Sequence, residues 1–271
     1  QVGWIITTAL SIYGFSAIFN GPIADRLGGR RAMLIGSIGT VVFNFLFGLG
    51  GFMGFLGTGP VLLAYFATIW GLCAYFQSYS ALALIKVNAG WFHVSERGVF
   101  SAIFGAMIQM GRLAIFAIAP IIVATFNWQG VFFAPAIMVS IMAFLTYKYV
   151  HNSPEDVKLP SLDVQDATSG DTEAVNLKYV AKKIFTNPVT LAIAAAEFCT
   201  GVVRHGFEQW FPRYMQEAQH LALSSSVFQK GAFVVVLAGI FGAFAAGTLS
   251  DWLFRSRRPP VAFLGYILQV V

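Results

Sequence analysis

Arg204 stands inside an apolar stretch at 188–210, and Arg112 inside another at 99–124. A guanidinium cannot be deprotonated away, so a cation this deep in a nonpolar segment needs a carboxylate partner or a polar ligand. Its planar fork of N–H donors matches two oxygens of a phosphate or carboxylate, which makes both arginines candidate anion ligands. The competing reading of Arg204 is an ion pair with Glu208, four residues on, or with Glu197, seven residues back. Arg112 has two readings as well: a ligand for a second anionic group, or a salt bridge with Glu197 across a bundle interface. Glu197 and His205 add proton chemistry, because a carboxylate at membrane depth can carry protons and imidazole titrates near neutrality. Tyr13, inside the stretch 3–23, either donates a hydrogen bond from its phenol or simply packs.

The elements that must position these groups are membrane spans. The chain has 271 residues, 57% of them hydrophobic and 11% charged, with mean hydropathy +0.71. Soluble domains carry roughly 25% charged residues, and a chain this short cannot bury so much apolar surface from water. That excludes a soluble enzyme, a disordered chain, a disulfide scaffold and a soluble nucleic-acid binder. The net charge of +5 reads as Lys and Arg gathered in cytoplasmic loops. Cys73 and Cys199 both lie in apolar stretches, which speaks against a structural disulfide.

A bilayer core takes about 20 helical residues to cross. Apolar runs of that order fall at 3–23, 32–51, 61–85, 99–124, 131–150, 188–210 and 227–248, with a partial run from 260 to the end. The expectation is an all-α membrane protein with about seven complete transmembrane helices and the start of an eighth. The one long polar segment, 151–187, predicts a solvated central loop with a short amphipathic helix around 174–185. It separates an N-terminal bundle, 1–150, from a C-terminal bundle, 188–271. Thirteen Lys and Arg fall in one set of loops and only Arg213 in the other, so the central loop is predicted to be cytoplasmic. The chain starts at Gln1 without an initiator Met, enters an apolar run after two residues and stops inside another, which reads as an internal piece of a longer protein.

Two segments repeat. Gly21-Pro-Ile-Ala-Asp25-Arg26-Leu-Gly28-Gly29-Arg30-Arg31 follows the first run, and Gly247-Thr-Leu-Ser-Asp251-Trp-Leu-Phe-Arg255 follows the seventh. Both place Gly four residues ahead of an Asp, then a basic cluster, at the cytoplasmic end of a helix. Recurrence at the same topological place in two halves is the mark of a duplicated transporter. Positive-inside topology accounts for the arginines but for neither the embedded Asp nor the Gly. The alternative is a latch, in which the Asp and Arg residues bridge neighbouring helices and hold one side closed, with Glu96 and Arg97 as partners from the opposite loop.

The motif pair and the long loop between its copies resemble the major facilitator superfamily. Tyr13-Gly14-Phe15-Ser16 and Trp91-Phe92-His93-Val94-Ser95-Glu96-Arg97-Gly98 narrow the likeness to its organophosphate/phosphate antiporters, the carriers of glycerol-3-phosphate and hexose phosphates. Asn127-Trp128 with Pro135, Ser153-Pro154 with Leu159-Pro160, and Arg204-His205-Gly206 with Trp210 and Pro212 extend it over essentially the whole chain. The resemblance implies the second helix to the start of the ninth of twelve. It places one of two phosphate-binding arginines at Arg204 and the other in the first helix, ahead of this chain. Members of that family have a His where Met107 stands, and its glycerol-3-phosphate carriers have a Lys where Ala17 stands, so the resemblance implies the same phosphate anchor with a different organic moiety. On that pattern Arg112 could meet the carboxylate of a phosphoglycerate-like substrate. Lys86, where relatives have Arg, either belongs to an inner anion-attracting vestibule or snorkels to the headgroups.

No phosphate-binding loop, His/Cys metal spacing, Gly-x-Ser-x-Gly or dinucleotide fingerprint is present, so neither an enzyme, a cofactor nor a metal is expected. What the resemblance implies is a monomeric, multi-pass inner-membrane carrier exchanging an organic phosphate for inorganic phosphate by alternating access, with no nucleic-acid partner. Its rivals are a sensor that binds the same esters and a proton-coupled carrier of organic anions using Arg112 and Glu197.

Overall fold

The computed structural model describes residues 2–52, 59–93, 97–160, 177–222, 225–254 and 258–270. Among them the helices run α1 (Val2–Leu27), α2 (Gly29–Gly50), α3 (Pro60–Trp91), α4 (Arg97–Phe126), α5 (Gly130–Tyr149), α6 (Leu177–Thr186), α7 (Pro188–Glu217), α8 (Ser226–Phe254) and α9 (Arg258–Val270). A 3-10 turn, Pro154–Val157, follows α5, and no strand occurs among the described residues. Five of these helices, α2, α3, α4 from Ile103 onward, α5 and α8, are long and apolar enough to cross a membrane. Helices α1 and α7 have the length, 26 and 30 residues, and α7 is interrupted by Glu197, Arg204, Glu208 and Arg213. The all-helical membrane architecture expected from the sequence is what the chain forms.

Local chemistry sets the helix boundaries. Pro60 and Pro188 open α3 and α7, where a missing N–H costs nothing. Gly28 joins α1 to α2 at φ 83° and ψ 152°, a conformation essentially reserved for glycine. Asn127 takes the left-handed conformation, φ 59°, in the turn between α4 and α5. Asn187 separates α6 from α7 with an extended backbone, and its Oδ1 accepts from the N–H groups of Val189 at 2.9 Å and Thr190 at 3.4 Å.

The chain forms two compact units, Gln1–Arg97 with Ile121–Thr172, and Gly98–Pro120 with Glu173–Val271. The middle of α4 therefore groups with the helices that follow the central loop.

In the first unit α3 packs against α1 and α2, and α5 against α2. The core is built from small side chains, Ala24, Ala32 and Ala83 around Tyr79, because lipid tails are as apolar as Leu and association rests on close approach. A Cβ on Gly36 would come within 2.9 Å of the Phe76 carbonyl oxygen, so α2 and α3 touch backbone to backbone there. Towards the other end Phe47 is enclosed by Phe132, Phe66 and Trp70, with ring centroids at 4.3, 4.6 and 5.3 Å. A polar seam crosses the same unit. The fully buried Asn20 donates to Ser78 Oγ at 2.6 Å and to the Tyr75 carbonyl at 3.2 Å, and the Ser16 hydroxyl meets Ser78 Oγ at 3.1 Å.

In the second unit α6 adjoins α7 and α8 adjoins α9. Helices α4, α7 and α8 meet through long side chains. Phe228 is 5.9 Å from both Phe116 and Phe211, and a Cβ on Gly239 would strike the Gln109 amide. A cavity of about 190 Å³ lies beside Phe116, lined also by Leu113, Ala117, Gln229 and Phe233.

Candidate anion-binding site

Helix α7 carries Arg204, His205 and Glu208 within two turns, and the i, i+4 spacing puts Arg204 and Glu208 on one face. The intrahelical pair that this spacing allows does not form. Glu208 Oε1 instead lies 2.6 Å from Arg112 Nη1 on α4. The order of charges does not forbid it, since Arg213 and Glu217 pair in the same order further along α7, with Arg213 Nε 2.7 Å from Glu217 Oε1; here the facing helix takes the carboxylate. Arg112 Nη1 also donates to Gln109 Oε1 at 3.1 Å, one turn back on α4. His205 Nδ1 lies 3.9 Å from Glu208 Oε2 and has no hydrogen-bond partner. The three side chains stay accessible, Arg112 at 39%, Glu208 at 24% and His205 at 44% exposed.

Arg204 itself is exposed and makes neither a hydrogen bond nor an ion pair among the described residues. Glu197 is likewise exposed and without a polar side-chain partner among them. The second unit thus presents an uncommitted guanidinium and, one turn along, a paired one. Chemically, the first can bind a dianion through two parallel N–H···O bonds, and the pair beyond it offers donors and acceptors together.

Tyr13, on α1 in the first unit, is half-buried; its carbonyl accepts from the Ser16 hydroxyl at 3.0 Å, and its phenol is free among the described residues. The basic turn after α1 is organised by partners from α3 and α5. Lys86 Nζ reaches back from α3 to Asp25, 3.1 Å from Oδ1 and 2.6 Å from the main-chain oxygen, where the reading of the sequence allowed it a vestibule or a headgroup. Arg30 donates to the Tyr147 carbonyl and sits 5.4 Å over the Tyr147 ring on α5. Arg26 and Arg31 are exposed, with no partner among the described residues. Gly21 has open space around the position of a Cβ, so its place four residues ahead of Asp25 is not a packing requirement here.

The loop leaving α5 completes this end of the first unit. Asn152 Oδ1 accepts from the Arg30 N–H at 2.8 Å and so caps α2, while Trp91 Nε1 donates to the His151 carbonyl at 2.8 Å. Asp156 Oδ2 holds the Asn152 N–H at 3.0 Å, and Pro154 is buried. Asp25, Lys86, Arg30 and Asn152 therefore tie α1, α2, α3, α5 and the start of the central loop together within one unit.

The second copy of the motif is only partly described. Gly247 lies in α8 with open space around it. Asp251 and Arg97 lie in α8 and α4 with their side chains outside the described residues, and Glu96 and Arg255 lie outside them altogether.

Asn20, Ser16, Ser78 and Asn152 are structural polar residues that the reading of the sequence did not single out as a group. For Asn20, Ser16 and Ser78, an uncharged polar residue in an apolar run leaves no periodic signal beyond Ser16's place in the Tyr-Gly-Phe-Ser segment, and Asn152 is one polar residue among many in the segment 151–187.

Comparison with known proteins agrees with this architecture. The chain is 26% identical to the glycerol-3-phosphate transporter of Bacillus subtilis over 97% of its own length and 60% of that protein's. It is 25% identical to the "Probable hexose phosphate transport protein" of Chlamydia pneumoniae, over 97% of its length and 59% of that protein's. To the membrane sensor protein UhpC of Salmonella typhimurium it is 26% identical, over all of its length and 61% of that protein's. The chain thus spans about three-fifths of the length of the curated relatives it matches. These relatives are two transport proteins and a sensor, not enzymes. The family model for the Major Facilitator Superfamily matches residues 1–271, and the chain belongs to that superfamily.

Proposed function

We propose that the protein is a secondary active transporter that exchanges an organic phosphate for inorganic phosphate by alternating access. The observation that carries this is the state of Arg204. It is a permanent cation inside a 30-residue helix of mostly apolar sequence, and the nearest carboxylate on its face, Glu208, is committed to Arg112. A cation at membrane depth with its counter-ion taken elsewhere is poised for an external anion. Phosphate and its monoesters present the same oxygens to that guanidinium, so one anchor serves both directions of an exchange, and the two gradients supply the driving force. The glycerol-3-phosphate and hexose phosphate relatives support the ester class. The protein would sit in the inner membrane as a monomer, with the basic turns and the central loop on the cytoplasmic side. The Asp25–Lys86 cluster and its counterpart near Asp251 would stabilise one closed state.

The test is exchange in proteoliposomes made with the full-length protein. Vesicles loaded with labelled phosphate should release it when phosphate esters are supplied outside. Arg204→Ala should abolish that release, and Arg204→Lys should restore little of it because a point charge cannot replace the fork. Wild-type protein, shown to be folded, that exchanges nothing refutes the antiporter. Similarity to UhpC favours a sensor as the second reading; ester binding without flux would establish it. Ester-independent uptake collapsed by a protonophore would instead favour proton coupling through Glu197 and His205.

A further inference from the structure

We infer that the Arg112–Glu208 pair is the specificity filter of this site, selecting phosphate esters of neutral polyols over esters that carry a second acidic group. The inference rests on the reading of Arg204 as the phosphate anchor.

Glu208 stands four positions on from Arg204, a rise of about 6 Å along α7 on a single face. That is roughly the distance from a phosphorus atom to the far end of a three-carbon ester, so a substrate held by Arg204 lays its organic part against Glu208 and its partner. What it meets there is not a lone cation. Arg112, which the sequence offered as a ligand for a substrate carboxylate, is neutralised by Glu208 at 2.6 Å.

The pair nevertheless has unused hydrogen-bonding capacity on both sides. A guanidinium has five N–H donors, and the contacts of Arg112 to Glu208 and Gln109 both run through Nη1. On the carboxylate, the polar partner of Oε2 among the described residues is His205 Nδ1, at 3.9 Å, beyond hydrogen-bond range. A hydroxyl can donate to Glu208 and accept from Arg112 at once. A substrate carboxylate can only accept; to reach Arg112 it must sit beside the like charge of Glu208 or displace it. The pair therefore favours one class of organic moiety and repels another, which attraction alone would not do.

The decisive comparison is the ratio of exchange with glycerol 3-phosphate to exchange with 3-phosphoglycerate, in proteoliposomes of the full-length protein loaded with labelled phosphate. These two esters share the phosphate and the three-carbon chain and differ in whether the far end is a hydroxyl or a carboxylate. Wild type should prefer glycerol 3-phosphate by tenfold or more. Glu208→Gln frees the charge of Arg112 and should lower the ratio at least tenfold. Arg112→Gln leaves Glu208 unpaired and should raise it, and the double substitution Arg112→Gln/Glu208→Gln should return it towards wild type. These opposite signs separate a filter from a structural brace, which would lower exchange of both esters alike. If Glu208→Gln does not fold, the wild-type ratio and the rise in Arg112→Gln decide the question. A wild-type preference for 3-phosphoglycerate, or a ratio unmoved by folded variants that still exchange phosphate, overturns the filter and leaves the antiporter standing. Wild type that exchanges hexose phosphates but neither three-carbon ester overturns the filter alone, and wild type that exchanges no phosphate ester removes both.

Discussion

Within one motif the structure separates a glycine that is required from one that is not. Gly28 sits at φ 83° and ψ 152°, and a Cβ there would stand 3.2 Å from both polar atoms of the Asn152 amide. Gly28→Ala therefore incurs a backbone penalty of about 1–3 kcal/mol for a side chain in that region. Displacing Asn152 also weakens its cap on the Arg30 N–H, worth about 1 kcal/mol. The expected loss is about 2–4 kcal/mol, a fall of about 5–15 °C in the unfolding midpoint. Gly21 is helical with open space at its Cβ position, so Gly21→Ala should be neutral or stabilise by up to about 1 kcal/mol. The assay is thermal unfolding of the purified full-length protein followed by tryptophan fluorescence, with Asn152→Ala measured alongside to isolate the cap. Gly28→Ala melting with wild type, or Gly21→Ala melting as low as Gly28→Ala, would refute the reasoning, since backbone conformation would then not be what the motif's glycines supply.

Other outcomes follow from particular contacts. Phe47→Ala removes three ring contacts at about 0.5–1.5 kcal/mol each and should cost about 2–4 kcal/mol in the same melt, with Phe47→Leu costing less. Asp25 is 75% exposed, so Lys86→Met should change stability by no more than about 1 kcal/mol, and a larger loss would show that the contact is worth more than an exposed ion pair. The Ser153 hydroxyl and the Glu155 N–H hold the exposed Glu155 carboxyl below its ordinary range. A depressed carboxylate contributes stability above its ordinary range and loses it as pH falls through the folded value. The protection of the Asp156 and Lys158 amides, corrected for the intrinsic slowing of exchange in acid, should therefore fall as pH drops, and Glu155→Gln should flatten that pH dependence.

Much of the fold was legible because apolar runs and helices share a cause. The run at 131–150 became α5 (Gly130–Tyr149), and the short amphipathic segment expected at 174–185 became α6 (Leu177–Thr186). Helices overran their apolar runs where backbone hydrogen bonding continues past the hydrocarbon, as at α3, which extends to Trp91 beyond the run ending at 85. The charged partnerships were less legible. Spacing along α7 offered Glu208 to Arg204, but the carboxylate crossed to Arg112, and Asp25 took Lys86 from a helix distant in sequence. Local periodicity ranks neighbours on one helix; it carries no information on which residue of a facing helix arrives opposite. The capping of α2 by Asn152, 122 residues from Arg30, is hidden for the same reason.

The clasp that Asn152, Pro154 and Asp156 make with the ends of α2 and α3 has a mechanical consequence. The central loop does not swing freely from the last residue of α5. It leaves the first unit through a short stiff handle, so a pull on the loop loads the start of α2 through the Arg30 amide and the end of α3 through Trp91 before it loads α5. Torque from the chain beyond Pro160 is thereby delivered to the same corner that holds Asp25 and Lys86, and a reporter spliced between His151 and Lys158 would disconnect that lever while leaving every span in place.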